Sequence, residues 1–334
     1  MRVAVFTAPG KIEIQQQPVP PLAEGMVLLR VQICGICGTD LAYWQGEGRL
    51  SYPYSAGHEM CGSIEQLGAG VKNLDVGQRV AVDPNLGCAT CRYCRQGRPN
   101  LCDRLKTRPI KSNGGFSDFV RLDYRMVHPI SNQLSAESAV FIEPLSCVLH
   151  AIELAKPLHH DAAVFGLGTM GILAARILQE RGCRFTLIEP APERRRLAEK
   201  SLGEYCGRTD ILAPQEVEAQ ELSDAVDTVV ECSGNINAIR MAIKMLRKTG
   251  RLVLAGLAGG ASDGTIPFEL ITKKELVIKG SWLNPNTFKQ AIEWAQRNAD
   301  FLEQLESRTF ALADIRRALA CSLQPEVIKV MVRP

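Results

Sequence analysis

Apolar residues come in short alternating runs over the first 135 positions and recur at helical spacing afterwards. The run at 26–33, Met-Val-Leu-Leu-Arg-Val-Gln-Ile, predicts a strand; 61–68 and 79–82 predict two more, separated by Gly68, Gly70 and Gly77. Short strands, frequent turn signals and little helical periodicity predict a β-rich first domain, a partly open barrel. From about residue 136 the texture changes. Helical spacing covers 136–155, then apolar strands at 162–165, 184–188, 228–231 and 251–255 alternate with helices at 170–180, 192–201 and 237–246. That alternation predicts a parallel sheet with crossover helices, a second domain over roughly 140–290. Helices at 288–296 and 312–319 and a closing strand at 327–332 complete the chain, and the pattern leaves open which domain they join.

Composition changes this picture little. A chain of 334 residues accommodates two domains of ordinary size. With 46% hydrophobic and 22% charged residues it is globular, and a net charge of +3 gives no argument for a polyanion partner. The first apolar residues meet Pro9-Gly10-Lys11 too early for a signal peptide, so a cytoplasmic location is expected. The most apolar long run, 162–175, is broken by Gly166, Gly168, Thr169 and Gly171 and is shorter than the roughly 20 residues of a membrane span. Twelve cysteines without a signal point to metal or redox use rather than a disulfide framework.

Candidate chemistry starts at 35–62, where Cys37 and Thr39 are followed by Gly57-His58-Glu59. A thiolate, an imidazole and a carboxylate are the parts of an open metal site, with a fourth position left for substrate. Cys88-x-x-Cys91-x-x-Cys94 and then Cys102 supply four thiolates to a short lobe over 88–102, the donor set and spacing of a structural zinc site. Ferredoxin runs place their cysteines differently, which sets aside an iron–sulfur cluster. Arg92, Arg95, Arg98 and Arg104 on the same lobe raise a nucleic-acid-binding zinc module as a rival from another class, but Tyr93 is the one aromatic among them and a solvated basic face is the ordinary reading.

Gly166-Leu167-Gly168-Thr169-Met170-Gly171 directly follows a predicted strand and opens a helix. The first glycine permits the tight turn, the second lets backbone approach a pyrophosphate, and the third lets helix and strand pack closely. Glu189, at the end of the next strand, is placed to hold both ribose hydroxyls of NAD and to oppose the 2′-phosphate of NADP. Arg194 is read as an adenosine contact, as a partner for a 2′-phosphate, or as part of the solvated face Arg194-Arg195-Arg196. Ser233, after the strand ending at Glu231, lies at another carboxyl end of the sheet and is a candidate nicotinamide contact.

These motifs, with Glu143-Pro144-Leu145-Ser146, occur in an order that resembles the zinc-dependent medium-chain alcohol and polyol dehydrogenases over nearly the whole chain. The resemblance implies an α/β plus β architecture: a GroES-like catalytic domain over 1–139, an inserted Rossmann domain over 140–290, a return to the catalytic domain over 291–334, and an active site in the cleft between the two. It implies two zinc ions per subunit. Cys37 and His58 match the catalytic zinc ligands, and the third position stays open between Glu59 and Glu143. Glu143 stands where polyol dehydrogenases carry a glutamate and classical alcohol dehydrogenases a cysteine. The implied reaction passes a hydride from a carbinol carbon to NAD, with zinc as Lewis acid and Thr39 handling the hydroxyl proton.

Two departures from the family pattern bear on this. Ala42 stands near the position where many relatives carry a proton-relaying histidine, with Tyr43 and Trp44 beside it. Cys34, Cys61 and Cys147 sit near ligands without matching metal positions and read as small buried hydrophobes. The wording of 280–284 is similar to sugar-alcohol-phosphate dehydrogenases, in which case Lys106, Arg108 and Lys111 are candidates for a phosphate. The expected substrate is a polyol or sugar alcohol, possibly phosphorylated, giving the ketose; an L-threonine or sugar-acid dehydrogenase is the enzymatic alternative. A homodimer or homotetramer, without nucleic-acid or membrane partners, is expected.

Overall fold

A computed structural model describes residues 1–47, 51–107, 114–156, 161–203, 209–257 and 265–334. They form two compact units, the first made of Met1–Ser146 with Leu283–Pro334 and the second of Cys147–Trp282. The divisions fall at Ser146/Cys147 and Trp282/Leu283 rather than near 140 and 290. The reason is polar anchoring that periodicity does not report. Asn284 is buried and donates to Asp83 (3.1 Å) while accepting from Asn85 (2.7 Å), and the Thr287 hydroxyl donates to the Ser146 carbonyl at 2.7 Å. The returning chain therefore joins the first unit before its first helix, Phe288–Arg297, begins.

The first unit contains a seven-stranded sheet whose main path runs Ser307–Ala311, Lys329–Arg333, Met26–Gly35, Glu59–Leu67, Arg79–Val82, Val127–Pro129, with Phe119–Asp123 paired on Met26–Gly35. Pairing is antiparallel except between Ser307–Ala311 and Lys329–Arg333. Strand residues Val27, Leu29 and Val31 turn into a core shared with Phe6, Ile64, Leu122, Leu319 and Val332. Arg30, on the other face, reaches across to Glu65 at 2.8 Å and covers the Phe119 ring at 4.6 Å, so the alternation of the strand is used on both sides. The N-terminal residues form an antiparallel hairpin, Arg2–Ala8 with Lys11–Gln16, around Gly10.

In the second unit six parallel strands are ordered Thr209–Leu212, Phe185–Ile188, Ala162–Phe165, Val226–Glu231, Leu246–Leu254, Val277–Gly280. Ala162–Phe165, at the centre, is buried throughout and reads as a continuous apolar run. The two edge strands escape that signal, because Val277–Gly280 is largely exposed and Thr209–Leu212 is only half apolar. Strands successive in sequence proceed outward from Ala162–Phe165 in one direction and from Val226–Glu231 in the other, so the topological switch point lies between these two. The segment Ala136–Ala155 is long and apolar enough for a membrane span, but 78% of it is buried within the protein, so its apolar length is used as core.

The closing strand carries a buried charge into the first unit. Its residue Met331 pairs with Gly35, and Lys329, 3% exposed, donates to the Ile36 carbonyl at 3.2 Å and meets the Glu59 carboxylate. Gly35 makes this possible, since a Cβ there would stand 2.2 Å from the Glu59 carboxylate and 2.8 Å from the Lys329 side chain. Removing one member of a buried pair strands the other charge, at a cost of about 3–5 kcal/mol. Lys329→Met is expected to lower the unfolding free energy measured in urea by that amount, and adding Glu59→Gln to restore a large part of it; equal losses in single and double variants would refute the coupling.

Asp83 provides a pH dependence. Burial pushes its carboxyl up to about 6, against the hydrogen bonds from Asn85 and Asn284. The folded state therefore holds this proton more tightly than the unfolded chain, and stability is lost as pH rises from about 4 through about 6. Asp83→Asn keeps an acceptor without the charge. Its stability relative to the parent is expected to rise by about 2 kcal/mol between pH 4 and 7 in chelator-containing buffer, measured by urea unfolding; a pH-independent difference would contradict the shift.

Candidate active site

The first site is built where two strands of the first unit end and begin. Met26–Gly35 delivers the chain to Cys37, which caps the helix Gly38–Gln45, and the Asp40 side chain accepts from the Cys37 amide at 2.9 Å to close the first turn. The same carboxylate accepts from the Gly57 amide at 3.3 Å and lies 3.7 Å from His58 Nδ1, so one fully buried acid joins the two loops that carry the donors. Cys37 Sγ, a ring nitrogen of His58 and a carboxylate oxygen of Glu59 all lie within 4.8 Å of one another, the last two buried. Thr39 Oγ1 is 3.8 Å from the Cys37 sulfur.

The ionisable groups of this cluster shift one another. Burial disfavours charge on His58, yet the Asp40 carboxylate and the Cys37 thiol outweigh it and hold the imidazole well above its usual pKa. Glu143, at the start of the helix Ile142–Ala155, is 7% exposed; burial first, then the negative charges of Glu59 and Asp83, push it up to about 7 against the pull of His58 and Lys329. Glu143 is thus within electrostatic reach of the cluster but does not join the 4.8 Å group. A sulfur, an imidazole and a carboxylate within 4.8 Å of one another are a donor set that fits zinc with an open position.

In the lobe, the four sulfurs of Cys88, Cys91, Cys94 and Cys102 also lie within 4.8 Å of one another. Backbone amides point at them: Cys88 N–H donates to Cys102 Sγ, Cys91 N–H to Cys88 Sγ and Arg104 N–H to Cys102 Sγ, each at 3.3 Å. The Thr90 hydroxyl and then backbone amides draw Cys88 down to about 5, whereas partial burial and the neighbouring thiols push Cys94 up to about 12. Four adjacent thiols cannot all ionise by themselves. A divalent cation removes that conflict, so this site too fits zinc. Arg104 donates to Thr90 at 2.6 Å and lies 3.4 Å from Cys88 Sγ, turning its charge into the cluster.

The second unit carries the dinucleotide motif at its switch point. Gly166 has φ +83° and a Cβ there would stand 2.9 Å from Ser233; one on Gly171 would stand 1.8 Å from the Gly166 carbonyl oxygen. Around Gly168, which caps the helix Thr169–Glu180, the nearest atom to such a Cβ is Arg194 Nη1 at 4.0 Å, leaving room for a ligand. Glu189 is 3% exposed, and its two oxygens accept from Leu167 N–H at 2.7 Å and Ala191 N–H at 3.0 Å. Through Leu167 it ties the glycine loop down. Ser233 directs its amide and hydroxyl protons to Glu231.

Several residues of these sites escaped sequence reasoning. Lys329 and Asp83 lie in the last strand and after Arg79–Val82 with no local motif, and Asn284 takes its place only once the chain has returned. Cys34 and Cys61 are buried, and burial pushes Cys61 up to about 12, as befits inert thiols; Cys147 is half-buried. Tyr43 stacks edge-on with Tyr54 at 5.5 Å and Trp44 packs on the core. Of the phosphate candidates, Arg108 and Lys111 lie outside the described residues, and Lys106 opens the short strand Lys106–Thr107.

Residues 23–132 match the family of the Alcohol dehydrogenase GroES-like domain, and residues 166–297 match Zinc-binding dehydrogenase. A sorbitol dehydrogenase of Bacillus subtilis (strain 168) is 31% identical over 352 residues, covering 100% of this chain and 97% of that protein. A zinc-binding dehydrogenase target from Sinorhizobium meliloti 1021, solved bound to NADP, superposes with a TM-score of 0.91 at 27% identity, covering 100% of this chain and 99% of that one. Galactitol-1-phosphate dehydrogenase from Escherichia coli superposes with a TM-score of 0.88 at 25% identity, covering 100% of both chains. Since Cys37, His58, Glu59 and the cysteine lobe fall inside the first matched region and the glycine loop opens the second, the chain belongs to the zinc-dependent medium-chain polyol dehydrogenase family and is an NAD(P)-dependent zinc oxidoreductase.

Proposed function

We propose that the chain oxidises a secondary hydroxyl of a polyol or sugar alcohol to the ketose with NAD. The observation that carries this reading is the convergence of Cys37, His58 and Glu59 within 4.8 Å, in a chain that also holds Glu189 against its glycine loop. Zinc supplies a Lewis acid that acidifies a hydroxyl and polarises a carbonyl, and NAD supplies the hydride acceptor. Cys37 and His58 are its fixed ligands in this proposal. Glu59 shares its charge with Lys329, which leaves the third position to be taken by Glu59 or by Glu143. Cys88, Cys91, Cys94 and Cys102 hold the second zinc.

The protein's own groups manage position and protons. Thr39, beside the Cys37 sulfur, accepts the proton leaving the substrate hydroxyl at its Oγ1 and hands its own on to water. Ala42 offers no imidazole to continue the relay. On the cofactor side, Gly166, Gly168 and Gly171 shape the pyrophosphate turn, and Arg194, whose Nη1 comes near Gly168, contacts the adenosine half of the cofactor in this proposal. Ser233 shapes the nicotinamide end. Glu189 selects NAD, its carboxylate opposing a 2′-phosphate. Assembly as a homodimer or homotetramer in the cytoplasm, without nucleic-acid or membrane partners, belongs to the same reading.

Zinc-loaded protein with NAD is expected to form NADH, read at its absorbance band, from at least one member of a panel of polyols, polyol phosphates, sugar acids and L-threonine. A preferred sugar acid or threonine would replace the substrate class, and silence across the panel with zinc bound would overturn the reading. Glu189→Ala is expected to raise the ratio of kcat/KM for NADP over NAD by about tenfold or more, the scale of one charge contact; an unchanged ratio would remove Glu189 from cofactor selection.

A further inference from the structure

A second buried carboxylate stands at the switch point, and the proposed chemistry does not use it. Glu231 ends the strand Val226–Glu231, is 0% exposed, and occupies the carboxyl end of the strand beside Ala162–Phe165. Its Oε1 accepts from Ser233 N–H at 2.7 Å, from the Ser233 hydroxyl and from Gly234 N–H at 3.0 Å, and Oε2 accepts from the same Gly234 N–H at 3.0 Å. Its backbone carbonyl accepts from Ala255 N–H and Gly256 N–H, both at 2.8 Å, while Cys232 N–H donates to the Phe165 carbonyl at 2.8 Å. Three loops are thus sewn together around one residue.

The fit leaves no slack. Ser233 lies 2.9 Å from where a Cβ on Gly166 would be, and Gly234 N lies 2.2 Å from where one on Gly256 would be. The loop after Glu231 is therefore wedged between the first glycine of the dinucleotide motif and the loop after Leu246–Leu254. From there order passes outward: Ser233 Oγ accepts from Asn235 N–H at 3.1 Å, and Asn235 caps the helix Ile236–Met245 through Asn237 N–H at 2.8 Å. A carboxylate does something here that an apolar residue would not. It consumes the amide protons of Ser233 and Gly234, which at the mouth of a parallel sheet would otherwise offer a second place for a phosphate to bind. Of the two loops at the switch point, the glycine loop is left as the one with amides for the pyrophosphate.

We infer that Glu231 is a positioning residue for the dinucleotide: acting through Ser233 and Gly234, it sets the wall against which the nicotinamide half lies and keeps the pyrophosphate in register on Gly166–Gly171. The inference rests on the dehydrogenase reading. The test is NADH binding by zinc-loaded protein, followed by fluorescence titration, alongside kcat and KM for NAD and a melting curve. Glu231→Gln preserves the shape but turns a donor toward a donor; its Kd for NADH is expected to rise about tenfold or more, the scale of losing a charge-assisted hydrogen bond, with KM for NAD rising in step and kcat at saturation within about threefold. Gly256→Ala, which displaces the loop without touching the carboxylate, is expected to give the same split, and Ser233→Ala a smaller rise. Because Gly256→Ala and Ser233→Ala leave Glu231 in place, they keep the test alive where Glu231→Gln fails to fold. A lowered Tm with parent-like Kd for NADH would reduce Glu231 to a purely structural residue and overturn the inference. Parent protein that binds no NADH at all would overturn the dehydrogenase reading itself, and the inference with it.

Discussion

The first unit is organised around a group of buried acids and the few groups that meet them. Asp40, Glu59 and Glu143 are all buried there beside the Cys37 thiol, and among the described residues Lys329 is the buried ammonium brought to meet them. Burying a carboxylate costs several kcal/mol unless it is paired or hydrogen-bonded. Each of the three is held differently: Asp40 by backbone amides, Glu59 by Lys329, Glu143 by a pKa raised toward neutrality. At the Cys37–His58–Glu59 cluster a divalent cation would take the place of the proton that Asp40 and Cys37 favour on His58.

A second theme links the two units although their folds differ. Asp40 joins the amides of Cys37 and Gly57, Glu189 those of Leu167 and Ala191, and Glu231 those of Ser233 and Gly234. In every case a buried carboxylate fastens loop backbone beside the place where a ligand is to be held. Loops are otherwise the least determined parts of a fold, and charge-assisted bonds to amides give them the precision that packing gives to strands. Glycine plays the complementary part, letting backbone and side chain approach where a methyl group would intrude, as at Gly35 and Gly166.

The parts that were legible in the sequence have short-range signatures. Cys37, His58 and Glu59, the cysteine quartet and the glycine loop are spaced by local geometry, and central strands such as Ala162–Phe165 announce themselves by unbroken apolarity. The parts that were not legible depend on where distant chain returns. Lys329, in a strand near the C-terminal end, looks like an ordinary surface lysine until the register Met331–Gly35 carries it beneath Glu59. Asp83, Asn85 and Asn284 make sense only as a set, and they also move the boundary between the units away from where the periodicity shifts. Edge strands escaped because half-exposed residues carry too weak a pattern.

The closing strand also bears on the order in which this chain can become itself during synthesis. The second unit is a continuous stretch, Cys147–Trp282, and all its strands are available once that stretch has been made. The first unit is split, and the pair that neutralises Glu59 spans from the fourth strand of the chain to the last. A nascent chain that has not reached residue 329 contains Cys37, His58 and Glu59 but lacks the ammonium that makes their burial affordable. The Glu59–Lys329 pair thus forms only by a long-range closure, made after all the strands of the second unit are available to pair.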